Sequence, residues 1–177
     1  MKFSVLTFNT LFNNGLKEIP NILNKYSPDI LCFQEFLTSE ENIKKIENYG
    51  YSLAEYSNSF IKLGKIYGVA TFYKQSLFKL VSKEFVEPIN NLSEYFYNIL
   101  KIFFENKTQP KTILKTILKE QNTKKIIEIY NIHLFFIGSN EARISTIKEF
   151  IKTNFEKNKF MIICGDFNYY PIQRKKT

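Results

Sequence analysis

The side chains in this sequence that can do chemistry sit where apolar runs stop. Thr7-Phe8-Asn9-Thr10, Cys32-Phe33-Gln34-Glu35, Asn131-Ile132-His133-Leu134 and Gly165-Asp166-Phe167-Asn168 each place polar groups directly after β-forming residues. Carboxylate and amide oxygens suit a hard cation, and an imidazole suits an anionic oxygen or proton transfer near neutral pH. In α/β sheets ligand sites gather at strand ends, because the sheet holds the side chains while the loops leave room for a substrate. Each residue also has a local reading. Asn9 can make a turn, Glu35 can cap the next segment, His133 can be a satisfied core histidine, and Asp166 with Asn168 can form an Asx turn after Gly165. Four such strand ends in one chain favour a shared site over four separate coincidences.

The elements that must position these groups follow from hydrophobic spacing. Lys2–Asn9 reads as a strand and Leu16–Tyr26 as a helix, in which Pro20 is tolerated only near the start. Ile30–Phe33 then reads as a short apolar strand. Two strands joined by an amphipathic helix make a β-α-β opening. Ser39–Tyr49 is a second helix with an acidic first turn, followed by strands at Tyr51–Tyr56, Tyr67–Tyr73 and Phe78–Phe85. Asn91–Phe104 carries apolar residues at helical spacing and reads as an inserted amphipathic helix within an insertion of about residues 91–110. Thr112–Lys119 and Lys124–Leu134 form a hairpin, Glu141–Phe155 a helix and Phe160–Cys164 a final buried strand. Hairpins mixed with crossover helices predict an α/β layered sandwich, here as a single domain spanning residues 1–177.

Composition sets the outer bounds. The chain of 177 residues is 44% hydrophobic and 24% charged, as expected of one compact domain. No apolar run approaches the ~20 residues of a membrane helix, and the opening MKFSVLTFNT lacks the apolar stretch of a secretory signal. A cytoplasmic location is expected. Cys32 and Cys164 lie within apolar runs as small hydrophobes, too few for a disulfide framework. The net charge of +8 favours an anionic partner such as nucleic acid. However, 23 of the 25 basic residues are Lys, which lacks the bidentate fork by which Arg recognises phosphate.

In order along the chain, TFNT, PDILCFQE, GVATFY, YNIHL and IICGDFN resemble the endonuclease/exonuclease/phosphatase superfamily. DNase I-like nucleases, AP endonucleases, neutral sphingomyelinases and inositol polyphosphate phosphatases share its fold. The match runs from Lys2 to about Pro171, and the order of the motifs makes it specific although GDFN and QE are short. The resemblance implies a Mg²⁺-dependent phosphoester hydrolase, with Mn²⁺ as the alternative ion, on a DNase I-like sandwich of two mixed β-sheets flanked by helices. It implies metal ligation by Asn9 and Glu35, a phosphate contact from His133, and orientation of water and phosphate by Asp166 and Asn168, with Asn131 in support. Gly68 in GVATFY is expected to be a position of close backbone approach.

One departure accompanies these matches. The family's chains normally close with a Ser-Asp-His element, whereas Tyr169–Thr177 contain neither His nor Asp and His133 is the only histidine. The expectation is therefore a fold incomplete at the C-terminus and a chain that is a poor catalyst alone, either a phosphodiesterase or nuclease or a silent phosphate-binding remnant. General acid–base groups contribute about 10²–10⁴-fold.

Overall fold

A computed structural model describes residues 2–62, 64–86, 112–134, 139–156 and 159–169. Alternation of large apolar side chains makes the middle strands apolar on both faces, and this dictates the layering. In β2 (Ile30–Leu37), Leu31 and Phe33 pack with Ile19 and Leu23 of helix α1 (Ile19–Tyr26) and Ile46 of helix α2 (Glu40–Glu47). The intervening Ile30 and Cys32 face a second sheet, where Leu118 of β6 (Thr112–Glu120) and Ile127 and Ile129 of β7 (Ile126–His133) meet them. The other face of β7 carries Tyr130 and Ile132 against Phe150 of helix α3 (Asn140–Asn154). Three apolar layers therefore separate helices, sheet, sheet and helix.

The first sheet has the order β1-β2-β4-β3, with β1 (Val5–Asn9) parallel to β2. Strand β4 (Lys65–Tyr73) runs antiparallel to both β2 and β3 (Ser52–Lys62). The second has the order β5-β6-β7-β8, with β5 (Phe78–Val86), β6 and β7 antiparallel and β8 (Phe160–Asp166) parallel to β7. Both sheets are mixed, as expected. Parallel strands β1 and β2, and β7 and β8, end at the same pole of the sandwich.

The helices begin where the sequence signals them. Ser39 caps α2 by accepting from the Asn42 amide, and Glu40–Lys44 and Glu41–Lys45 pair at 2.6 and 2.7 Å one turn apart. Ser139 caps α3 in the same way. The expected helix from Leu16 resolves into a 3-10 turn, Leu16–Glu18, before α1, because Pro20 fits only the first helical turn. Other boundaries move outward: β2 reaches Leu37, β3 reaches Lys62 and β8 reaches Asp166, while β1 begins at Val5. The inserted helix expected over Asn91–Phe104, and the insertion 91–110 around it, lie outside the described residues. Cys32 is buried and Cys164 half-buried, both as free thiols. Among the described residues no helix is long and apolar enough to cross a membrane.

Candidate active site

Glu35 owes its position to an irregularity in β2. Pairing with β4 runs Phe33 to Ala70 and resumes Phe36 to Gly68, so β2 carries one residue more than its partner between these pairs. This is a β-bulge, which re-aims a side chain, and Glu35 within it has φ +51°. Thr10 clamps the bulge from β1's end: its Oγ1 donates to the carbonyl of Glu35 at 2.8 Å and its amide donates to that of Gln34 at 2.8 Å. Gly68 is the close approach the sequence suggested, since a Cβ there would lie 1.8 Å from the Ser57 carbonyl oxygen.

The second sheet brings the remaining groups. His133 and Asp166 are register neighbours at the ends of β7 and β8. Gly165, with φ +140°, has no room for a Cβ, which would fall 1.9 Å from the Ile132 carbonyl oxygen. Asp166 Oδ1 accepts from the Asn168 amide at 2.8 Å, an Asx turn, while Oδ2 accepts from Asn9 Nδ2 of the other sheet at 2.7 Å. Asn9 Oδ1 accepts from the Leu11 amide at 2.8 Å, and Asn168 Nδ2 donates to the Leu134 carbonyl at 2.7 Å. The turn readings of Asn9, Asp166 and Asn168 are thus realised, and the same residues still converge. The cap of α2 is Ser39 and not Glu35. His133 Nε2 lies 3.7 Å from Glu35 Oε1, and both side chains are largely buried at 12% and 14% exposure.

Two buried amides carry the architecture: Gln34, which had no part assigned from sequence, and Asn131, which was expected in support. Gln34, nearly fully buried, donates to Asn131 Oδ1 at 2.7 Å across the sheet interface. Asn131, fully buried, donates in turn to the carbonyls of Phe33 and Ala70, both at 3.1 Å. Asn131 therefore supports the site from beneath, by tying β7 to the strands that carry Glu35. Lys62, with its Nζ 3.4 Å from the centre of the Phe12 ring, adds positive charge near Glu35. The signal for Gln34 and Lys62 was absent, because a strand-end amide and a lysine have no distinguishing spacing, whereas Asn131 was marked by the YNIHL motif.

Burial sets the electrostatics. It pushes the Glu35 carboxyl up, with the nearby Asp166 charge adding to the rise and the Asn9 hydrogen bond and Lys62 opposing it. It pushes the His133 imidazole down, against the pull of Asp166. Glu35 Oε2 is buried without a hydrogen-bond donor, an unsatisfied anionic acceptor of the kind that a cation satisfies. Asn9 Oδ1 has a second lone pair beyond the one given to Leu11. Among the described residues, no three His, Cys, Asp or Glu side chains converge closely enough to cage an ion by themselves. The donors present thus fit Mg²⁺, which keeps several waters and takes one or two carboxylates.

Two mixed sheets flanked by helices thus gather a carboxylate, a histidine and an Asp-Asn pair at one pole. The profile of the Endonuclease/Exonuclease/phosphatase family matches residues 6–175, and the chain belongs to that family. No curated protein sequence matches it. Among solved structures it resembles the human Nocturnin catalytic domain with bound sulfate anion, at TM-score 0.71 and 18% identity over 97% of this chain and 66% of that one. It also resembles ANGEL2, a 2',3'-cyclic phosphatase in complex with adenosine-2',3'-vanadate, at 0.66 and 23% over 96% and 54%. A third likeness is D. rerio TDP2 complexed with single strand DNA product, at 0.63 and 13% over 95% and 61%. These likenesses establish the DNase I-like fold, and the chain spans roughly half to two thirds of the length of the proteins it matches.

Proposed function

We propose that this pole of the sandwich is the site of a divalent-metal-dependent phosphodiesterase, with nucleic acid as the favoured substrate. The observation that carries the reading is the orphaned Oε2 of Glu35 beside His133 and the Asn9–Asp166–Asn168 chain. Glu35 and the remaining lone pair of Asn9 are the groups that would hold Mg²⁺, or Mn²⁺ in its place. The ion would supply Lewis-acid neutralisation of charge on the phosphoryl oxygens.

The protein's own groups divide the remaining work. His133, which burial holds toward its neutral form, is the imidazole this reading assigns to contact a phosphate oxygen. Asp166, fixed by Asn9 and by the Asn168 amide, accepts from the attacking water and orients it. Asn168 has one of its two amide N–H groups engaged by Leu134 and the other left for the scissile phosphate. A net charge of +8 supports a polyanionic substrate, as do the adenosine-2',3'-vanadate and single strand DNA bound by two of the structural neighbours.

Calorimetric titration with Mg²⁺ tests the reading directly. The wild-type chain is expected to bind the ion, and Glu35→Gln, which keeps shape but removes charge, to weaken it by about tenfold, or ~1.4 kcal/mol. Equal affinity in the two proteins would overturn the assignment.

A further inference from the structure

At the opposite pole from Glu35 the sandwich opens into a cleft of about 500 Å³, lined in part by Tyr73, Gln75, Lys79, Lys119, Gln121 and Lys124. Strand β7 runs from Ile126, the register partner of Lys119, to His133 at the catalytic pole, a span of roughly 20 Å at the rise of a β-strand. The cleft is therefore separate from the site described above. We propose that it is a second anion site, which binds a polyphosphate chain of nucleotide scale.

Three observations converge on an anion. Lys79 and Lys119 are direct cross-strand partners in the antiparallel β5–β6 pair, and like charges placed directly opposite destabilise a sheet. Neither they nor Lys124 has a carboxylate partner among the described residues, whereas Lys74 close by is paired with Asp29 at 3.4 Å. The carboxylate adjacent in sequence is committed elsewhere: Glu120 accepts from the amides of Asn122 and Thr123 at 3.0 and 2.6 Å and so builds the hairpin turn. The backbone adds a third feature, because Lys124 is held at φ +62° in that turn, a conformation that favours glycine or asparagine. A lysine thus occupies a position where its backbone is strained and where no carboxylate among the described residues answers its charge.

Size and chemistry then select the ligand. The volume lies within the range of small-molecule sites, and three ammonium groups match the three to four negative charges of a short polyphosphate near neutral pH. Gln121 is stapled by its Nε2 to the carbonyls of Gln75 and Phe78, so one wall of the cleft is fixed before any ligand arrives. A nucleoside triphosphate and a free polyphosphate are the two sources of the same chemistry.

The test is calorimetric and thermal titration of the 177-residue chain at low salt with inorganic tripolyphosphate and, separately, with ATP in the absence of divalent metal. Saturable binding with a rise in Tm is expected. The double substitution Lys79→Gln, Lys119→Gln is expected to weaken it at least tenfold, while Glu35→Gln leaves it unchanged. Without ligand the double variant is expected to melt no lower than wild type, since a like-charge pair has been removed, and this establishes that loss of binding is not loss of fold. Tighter binding of ATP than of tripolyphosphate would identify a nucleotide, and equal affinity a free polyphosphate, both within the proposal. No saturable binding by wild type, or equal binding by the double variant, would overturn it. Weakening by Glu35→Gln instead would place the anion at the catalytic pole and equally refute a second site.

Discussion

Glu35 carries two local costs at once. Its backbone lies in the left-handed region, at about 1–3 kcal/mol for a residue other than glycine, and its Oε2 is buried without a donor, at about 1–3 kcal/mol. Such costs persist where surrounding contacts over-determine them, here the Thr10 clamp on the bulge. Because burial favours the uncharged form of Glu35, the metal-free protein gains from losing that charge. Glu35→Gln is therefore expected to raise the Tm of the metal-free chain and to shrink the further rise on adding Mg²⁺. Differential scanning calorimetry with and without Mg²⁺ reads both effects. A lower metal-free Tm together with an intact Mg²⁺ response would show that this carboxylate serves packing and not the ion.

Among the elements, strands and helices were legible because each had a strong period: β7, for instance, alternates Ile127 and Ile129 toward the other sheet with Tyr130 and Ile132 toward α3. The bulge was not, since an extra residue in a strand looks in sequence like the strand's end, and β2 accordingly seemed to stop at Phe33. The candidate site residues were visible as polar breaks after apolar runs. Asn131 was legible as support through YNIHL, but the Gln34 side chain that meets it was not, because a buried amide and an exposed one are the same letter. Two glycines show how tightly the paired strands are built. A Cβ at Gly68 meets the Ser57 carbonyl, which predicts a loss of about 1–3 kcal/mol for Gly68→Ala by overpacking. Gly165→Ala meets the Ile132 carbonyl and must also hold φ +140°, adding about 1–3 kcal/mol of backbone strain. Urea denaturation should therefore rank Gly165→Ala as the more damaging. The reverse order would mean that β8 shifts away from β7 more readily than β3 shifts from β4.

At the scale of the whole molecule, the site exists only because the sheets are locked face to face. Asn9 and Glu35 come from the first sheet, His133 and Asp166 from the second, and the Gln34–Asn131 and Asn9–Asp166 hydrogen bonds fix one against the other. In the proposed reading that arrangement would supply a metal carboxylate, a phosphate donor and a water-orienting pair from described residues. With His133 given to phosphate in that reading, these 177 residues hold no second imidazole. A positioned base contributes about 10²–10⁴-fold, so hydrolysis of bis(p-nitrophenyl) phosphate or plasmid DNA by this 177-residue chain with Mg²⁺ is expected to fall short of an efficient enzyme by about that factor and to sit near background. Whatever rate remains should need Mg²⁺ and should fall further in Asp166→Ala, since that carboxylate alone faces the water in the proposed site. Robust turnover abolished by Asp166→Ala would show that Asp166 takes the proton itself, and the need for a second histidine would be withdrawn. Robust turnover indifferent to Asp166→Ala would remove Asp166 from the site altogether.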